Sequence, residues 1–419
     1  MPNTTLLTTS DFEWLSPKSL LANRVPIDFW AFGTRFCPVV LCYFASAALV
    51  CLPHTRSWRM ALVAVVVPLA YSTANSYDAT GGDPRQQHLN QGFRVSASWS
   101  CYAFPPLNSK QNVLFIMSMR ITEWSLVRKP YTRTDPAEKN VFRNALDLMF
   151  NFRGIGWTWS RGIPLPENPW RNMSPRAFML FNFFAIIKYE LLIDTCIYAV
   201  QLFGPTTIAT PAGGSIYDAS LPPLLRYARS ALIAYLFGLT MAYGVDALYH
   251  IMAFIAFCIP GRHRDPAQWP PVRGAPGAAT SLHAMWGREW HQAFRNSFVK
   301  LGAEPASRLI GRVGGVMGGF AFSELLHAFG DWGFGHGLTF SGFFIMMGVG
   351  VVLEGVWFEL TGKKVGGRLG WAWTMGWVIW WSQLYAEDLL TKGMAGGEVI
   401  PQRFRPAKIL VERFIMKTA

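Results

Sequence analysis

The chain has 419 residues, of which 51% are hydrophobic and only 15% charged, with 18 Trp and 31 Phe. A soluble fold would need partners to cover so much apolar surface, so the composition argues against an ordinary aqueous protein. The net charge of +13 does not point to nucleic acid. Its Lys and Arg gather in loops between apolar runs, where cytoplasmic orientation and anionic headgroups account for them.

Apolar runs of membrane-crossing length recur along the chain. Residues 1–35 are mixed, with a short interfacial helix expected around Asp28–Phe36, and no cleaved signal peptide is evident. Phe36–Leu52 is the first expected span and Met60–Ala74 a shorter partner, joined by the basic turn His54–Arg59. Tyr71–Pro106 reads as a polar loop marked by GGDPRQQ. Asn112–Val127 is apolar but holds Arg120 and Glu123; two readings stand, a span lining a polar interior or an amphipathic surface helix.

Arg128–Arg176 reads as a long loop with nine Lys/Arg against four Asp/Glu, and it contains RGIGWTW at Arg153–Trp159. Spans are expected at Ala177–Phe203 and Ser230–Ile259, around the loop Gly204–Leu225, which has no Lys or Arg. A basic loop, Pro260–Ser307, leads to spans at Arg308–Phe329 and His336–Phe358, and Trp371–Tyr385 is the last. Basic loops at 128–176, 260–307 and 361–368 then face the cytosol. Strict alternation would put the tail after Tyr385 in the lumen, yet that tail carries Lys392, Arg403, Arg405, Lys408, Arg413 and Lys417. One span is missed, or one segment re-enters. The expectation is therefore an all-α polytopic integral membrane protein with seven to nine spans, a single membrane domain over 1–419. Its polar N-terminal segment is 1–35, its core about 151–390 and its basic tail 391–419. The six cysteines mostly lie in or beside apolar runs without a C-x-x-C pair, so neither a disulfide framework nor a metal site is expected.

Two histidines carry the chemistry. His327 sits inside the apolar run GGVMGGFAFSELLHAF, where an ionisable side chain is costly and by default a functional-site hypothesis. On a helix Ser323 and Asp331 lie four residues either side of it and Glu324 three before, all within reach of its face. Gly311, Gly315 and Gly319 precede it at four-residue steps, but the ladder drifts, so only Gly319, Ser323 and His327 share a face. Such glycines usually mean close helix packing, and they equally leave a slot for a narrow substrate. Upstream, WGREWHQ spans Trp286–Gln292. Its plain reading is an interfacial aromatic belt with snorkelling arginines. Its chemical reading offers the ring faces of Trp286 and Trp290, a phosphate-binding Arg288 and a second imidazole, His291. On an interfacial helix Arg288, His291 and Arg295 recur at three and four and share a face.

WGREWH followed 36 residues later by the SELLH histidine resembles the wax-synthase branch of the membrane-bound O-acyltransferase superfamily. DPAQWPP at Asp265–Pro271, Ser281-Leu282 and RGIGWTW are similar to its fungal members, above all to acetyltransferases that tailor terpenoids and meroterpenoids. The likeness runs from Asn151 onward. It implies acyl transfer from an acyl-CoA, with acetyl-CoA favoured, to a hydroxyl of a lipophilic acceptor inside an intramembrane tunnel, in the endoplasmic reticulum membrane. It places the catalytic histidine at His327. No bound cofactor is implied; the acyl-CoA is a co-substrate. Two departures stand out: the family often has Asn where this chain has His291, and Phe or Tyr where it has Met285.

The chemistry fits these residues on its own terms. Esterification needs a base for the alcohol proton, and neutral imidazole suits that role. His291 and Trp286 are candidates to stabilise the oxyanion. Arg262, Arg264, Arg273, Arg288 and Arg295 are candidates for CoA phosphates, since guanidinium pairs phosphate bidentately. Rival readings are a long-chain wax-ester or sterol acyltransferase, and a proton-coupled transporter using Asp246 and His250 with Lys188, Glu190 and Asp194. The transporter lacks an inverted repeat and leaves WGREWH unexplained. A prenyl diphosphate enzyme would need paired carboxylates for Mg²⁺ at short spacing, which are not seen. Asn172-Met173-Ser174 is a glycosylation sequon in a loop expected to be cytosolic.

Overall fold

A computed structural model describes residues 25–26, 29–78, 85, 110–135, 139–259, 264–334, 338–397, 400, 402–411 and 413. Arg262, His336, Cys101 and nearly all of the GGDPRQQ loop lie outside the described residues.

Helix α1 (Phe29–Val50) begins earlier than the hydropathy suggests. The segment read as a separate interfacial helix continues into the span, with Phe29 and Trp30 left 90% and 78% exposed. After a turn at His54 (φ 58°), α2 covers Arg56–Ser76 and α3 Lys110–Leu126. A two-residue parallel pair, β1 (Val25–Pro26) with β2 (Tyr77–Asp78), joins the outer ends of α1 and α2. Arg120 and Glu123 of α3 are 1% and 0% exposed, so α3 is an interior helix rather than a surface one. Arg120 donates to the Leu148 carbonyl at 2.8 Å and lies against the faces of Trp124 and Phe152.

The basic stretch after α3 is not all loop. Asn140 caps α4 (Val141–Phe150) by accepting the Arg143 N–H, and the buried side of α4 is Ala145, Leu148 and Met149. These helices share one core, centred on Tyr43, Trp124 and Trp157. α5 (Pro175–Leu202) starts with a Ser174 cap followed by Pro, and α6 (Pro223–Cys258) starts on Pro223.

Arg295–Phe334 is apolar enough to be a single 40-residue span, but its backbone leaves the helical region at Ile310 and Gly311 (φ 66°, ψ −150°). The chain doubles back there. A Cβ on Gly314 would overlap the Ala306 carbonyl, and one on Gly318 the Gly302 carbonyl. Two antiparallel arms result, α7 (295–309) and α8 (311–331). The packing glycines are thus Gly302, Gly314 and Gly318, whereas a Cβ on Gly319 would be in ordinary contact, 3.8 Å from Ala303 Cβ. Only backbone-to-backbone approach lets arms pack so closely.

α9 (Phe343–Thr361) ends on a left-handed Gly362 whose N–H returns to the Phe358 carbonyl, and α10 covers Gly367–Thr391. A second core joins α5, α6, α9 and α10 around Phe237, Met347 and Leu389. The α7–α8 hairpin lies between the two cores. Phe115 of α3 packs on Phe322 and Phe329, while Phe320 of α8 packs on the second core.

The basic tail is partly an interior feature. Lys392 pairs with Asp388 at 2.6 Å and is 4% exposed. Arg405, ahead of the short helix α11 (Pro406–Leu410), pairs with Asp194 of α5 at 2.7 Å and is likewise 4% exposed. These two cations are held by carboxylates and say nothing about the side of the membrane. The arm α7 lies inside the stretch read as a loop at 260–307 and doubles back on α8.

Candidate active site

The WGREWH segment is held from several sides. Arg153, the first residue of RGIGWTW, donates to the Pro270 and Pro271 carbonyls at 2.8 and 2.6 Å. Tyr249 and Trp170 both donate to the Trp269 carbonyl, at 2.6 and 2.5 Å. Arg273 grips Asp246 with two nitrogens, the shorter contact being 2.5 Å. The Glu354 carboxylate accepts the Leu282 and His283 N–H groups at 2.6 and 2.9 Å and the Trp373 indole N–H at 3.0 Å. Glu289 accepts the Ala275 N–H at 3.0 Å, and that bond, with Arg288 beside it, holds its carboxyl below the usual range.

The expected continuous helix over Arg288–Arg295 does not form. A π-helical turn at Met285–Glu289 ends at Trp290, which is extended (φ −82°, ψ 163°), and α7 restarts at Arg295. Arg288, His291 and Arg295 therefore do not share a face. Arg288 is 64% exposed and paired with Glu289 at 2.7 Å. Arg295 turns inward, donating to the Gly287 carbonyl and to Gln292 at 3.0 and 2.9 Å, so it braces the motif. The next two residues tie this end of α7 to the first core: Asn296 donates to Glu123 at 2.6 Å, and Ser297 donates to the other Glu123 oxygen.

The hairpin lays the arm that follows WGREWH back along the helix that carries His327. Gly302 faces Gly318, and one turn further out the Phe298 and Phe322 rings meet at 6.1 Å. His291 lies just before these paired arms, near enough to His327 for the two rings to interact electrostatically. His291 lies between Trp290 and Phe294, with ring centroids 5.4 and 6.0 Å away. Its Nδ1 is buried without a partner. Burial, with the His327 ring and Arg153 adding to it, pushes His291 down to about 4, so it is neutral near pH 7.

His327 is half-buried on α8. Its Nδ1 lies 2.7 Å from the Ser323 carbonyl oxygen. A carbonyl only accepts, so Nδ1 carries the proton, and in the neutral ring the lone pair sits on Nε2. Among the described residues nothing hydrogen-bonds Nε2. Phe344 stacks on the ring at 4.0 Å and Tyr385 of α10 meets it edge-on at 5.8 Å. Ser323 thus acts through its main-chain carbonyl. Glu324 turns away from the ring: it accepts from Ser341 Oγ at 2.9 Å, Gly342 N–H at 2.8 Å and Phe344 N–H at 2.9 Å. It caps α9, and that cap sets Phe344 against His327. Trp286 completes the wall, 6.0–6.3 Å from Phe320, Phe343 and Phe344, with its indole N–H buried and unpartnered.

Residues 269–347, which hold both WGREWH and SELLH, match the model of the membrane bound O-acyl transferase family. The chain is similar to that family over this stretch, which holds both candidate histidines. That family is one of polytopic membrane proteins, and among the described residues five helical stretches of this chain are long and apolar enough to cross a bilayer; it is an integral multi-pass protein. It is 25% identical over 292 residues to the O-Mevalon transferase yanI of Aspergillus niger, covering 60% of this chain and 63% of yanI. It is 24% identical to the acetyltransferase eriL of Hericium erinaceus (61% of this chain, 68% of eriL). With the acetyltransferase spyB of Aspergillus fumigatus the identity is 33%, over 49% of this chain and 37% of spyB. The chain thus spans less than two thirds of the length of yanI.

Asp246 and His250, read together as a relay, serve different partners: Asp246 holds Arg273, and His250 Nδ1 meets Asn182 Oδ1 at 2.7 Å. Three contributors went unread. Glu354 and Glu123 lie in runs where a lone carboxylate signals only an interior partner. Tyr385 had a signal, because Trp373, Trp377, Trp381 and Tyr385 recur every four residues on one side of α10.

Proposed function

We propose that the chain transfers an acyl group from an acyl-CoA to a hydroxyl of a lipophilic acceptor, with His327 as general base. The observation that carries this reading is the fixed tautomer of His327. Ser323 holds the proton on Nδ1, which leaves Nε2 as a lone pair in a half-buried ring that no described residue engages. Nε2 takes the alcohol proton as the alcohol oxygen attacks the thioester carbon. The tetrahedral oxyanion then collapses, the C–S bond breaks, and the proton passes to the departing CoA thiolate. General-base help is worth about 10²–10⁴ in rate, and positioning and oxyanion stabilisation supply the rest. His291, neutral, and the unpaired Trp286 N–H supply polar contacts to the thioester. Trp290 offers a ring face, and the exposed Arg288 is the cation of this motif best placed for a CoA phosphate.

Acetyl is the favoured group and a terpenoid or meroterpenoid alcohol in secondary metabolism the favoured acceptor, because eriL and spyB are named acetyltransferases. On this reading the protein works in the endoplasmic reticulum membrane, with seven to nine spans around an intramembrane tunnel. Microsomes holding the protein are expected to acetylate a hydroxylated terpenoid from acetyl-CoA, with palmitoyl-CoA competing poorly. Preferred use of palmitoyl-CoA would make it a wax-ester or sterol type instead. Proton-coupled uptake without ester formation would sink the enzyme reading. A glycan on Asn172 would invert the proposed orientation.

A further inference from the structure

Resting on that reading, we propose that Tyr385 is a second catalytic residue, whose hydroxyl donates to the carbonyl oxygen of the transferring acyl group as it becomes an oxyanion. Tyr385 is 9% exposed, and its hydroxyl is buried with no hydrogen-bond partner. A buried phenol normally finds an acceptor, so an orphaned one marks a place where another molecule belongs. Its surroundings supply none. The ring packs against Phe343 at 6.1 Å, Phe344 at 5.7 Å and the edge of His327 at 5.8 Å. Three carboxylates are nearby, Asp331, Asp388 and Glu324, and none bonds the hydroxyl; Glu324 is engaged by Ser341, Gly342 and Phe344, and Asp388 by Lys392 at 2.6 Å and Thr339 at 3.2 Å.

Trp373 and Trp377, one face of α10 down from Tyr385, show the contrast. Both keep their N–H groups satisfied, on Glu354 at 3.0 Å and on the Met346 carbonyl at 2.9 Å. Trp373 and Trp377 are thus bonded within the protein, whereas Tyr385, beside His327, is left open. Base and donor flank Phe344 from two helices. When the alcohol oxygen attacks, its proton goes to His327 Nε2 while the carbonyl electron pair moves onto the oxygen that Tyr385 holds. Collapse returns that pair and expels the CoA thiolate.

Tyr385→Phe removes one oxygen atom and leaves the ring. The expected result is a fall in kcat of about 10²–10³-fold, the usual loss for one oxyanion donor, with KM for acyl-CoA and acceptor within about twofold. Thermal stability should hold or rise, because the deleted hydroxyl bonds to nothing. A kcat within twofold of the parent overturns the proposal, and so does a fall in kcat accompanied by lower thermal stability, which would make Tyr385 a packing residue. His327→Ala, run alongside, separates the two ideas. If it is inactive while Tyr385→Phe works normally, only the role of Tyr385 falls. If it turns over like the parent, the reading of the site falls too.

Discussion

Two histidines sit deep in apolar helices of this protein, and their surroundings differ in kind. His250 on α6 is 5% exposed and caged by Trp170, Phe181, Tyr189 and Tyr249, with ring centroids 5.0–6.3 Å away. Its Nδ1 is spent on Asn182, whose own amide donates back to the Phe178 carbonyl at 2.7 Å. His327 on α8 is covered on one face by Phe344 and touched at an edge by Tyr385, and its Nε2 has no described partner. A place on a long apolar helix is common to both. What separates them is an unengaged nitrogen beside other unpaired donors, the arrangement on which the proposed role of His327 rests.

The largest break in this contrast comes from truncating both rings. His327→Ala, inserted and intact, is expected to lose about 10²–10⁴-fold in kcat with unchanged thermal stability, measured as ester formed in microsomes. His250→Ala should do the reverse. Its kcat should stay within a few-fold while thermal stability falls, because Asn182 is left with a buried unpaired carbonyl, a cost of about 1–3 kcal/mol. Comparable kcat losses in both would erase the distinction.

A smaller effect is expected at His291. Its folded value of about 4 lies below the ordinary 6.5, so the unfolded chain binds the extra proton first as pH falls. Stability from this ring is fully present above about 6.5, declines as pH drops, and levels off below about 4; the difference is about 3 kcal/mol. His291→Asn, the residue usual in the family, should flatten that acid limb in a thermal-shift series and keep kcat within about tenfold. An unchanged acid limb would mean the imidazole titrates normally. The smallest change belongs to Arg288→Ala, with KM for acyl-CoA rising a few-fold and kcat unchanged, since an exposed cation gains little from screened phosphate. A KM equal to the parent's would remove Arg288 from the CoA site.

Much of the fold could be read from hydropathy, because a bilayer demands long apolar helices: α1, α2, α5, α6, α9 and α10 overlap the expected spans, with ends displaced by up to seven residues. The α7 arm could not be read so. Arg295, Lys300 and Glu304 give it the look of a loop, and its apolar side faces α8 rather than lipid, where glycines leave little hydropathy to detect. α4 hid inside a basic stretch for the same reason, being amphipathic and half exposed. Of the site, His327, His291 and Trp286 could be read from residue type and order. Sequence spacing misassigned Glu324 and Arg295, because helical proximity in the chain says nothing about which backbone N–H or carbonyl will claim a side chain. Tyr385 comes from a helix more than fifty residues away, and only packing brings it to His327.

The reversal at Ile310 and Gly311 has a consequence for how this protein tolerates change in length. Leu309 and Ile310 at the turn are 85% and 71% exposed, so residues can be added there without displacing anything behind them. One extra residue within a single arm, in contrast, would rotate everything beyond it by roughly 100° and carry His291 away from His327. Natural variation in length among such proteins is therefore to be sought at the tip, with the legs of the hairpin held to a constant count.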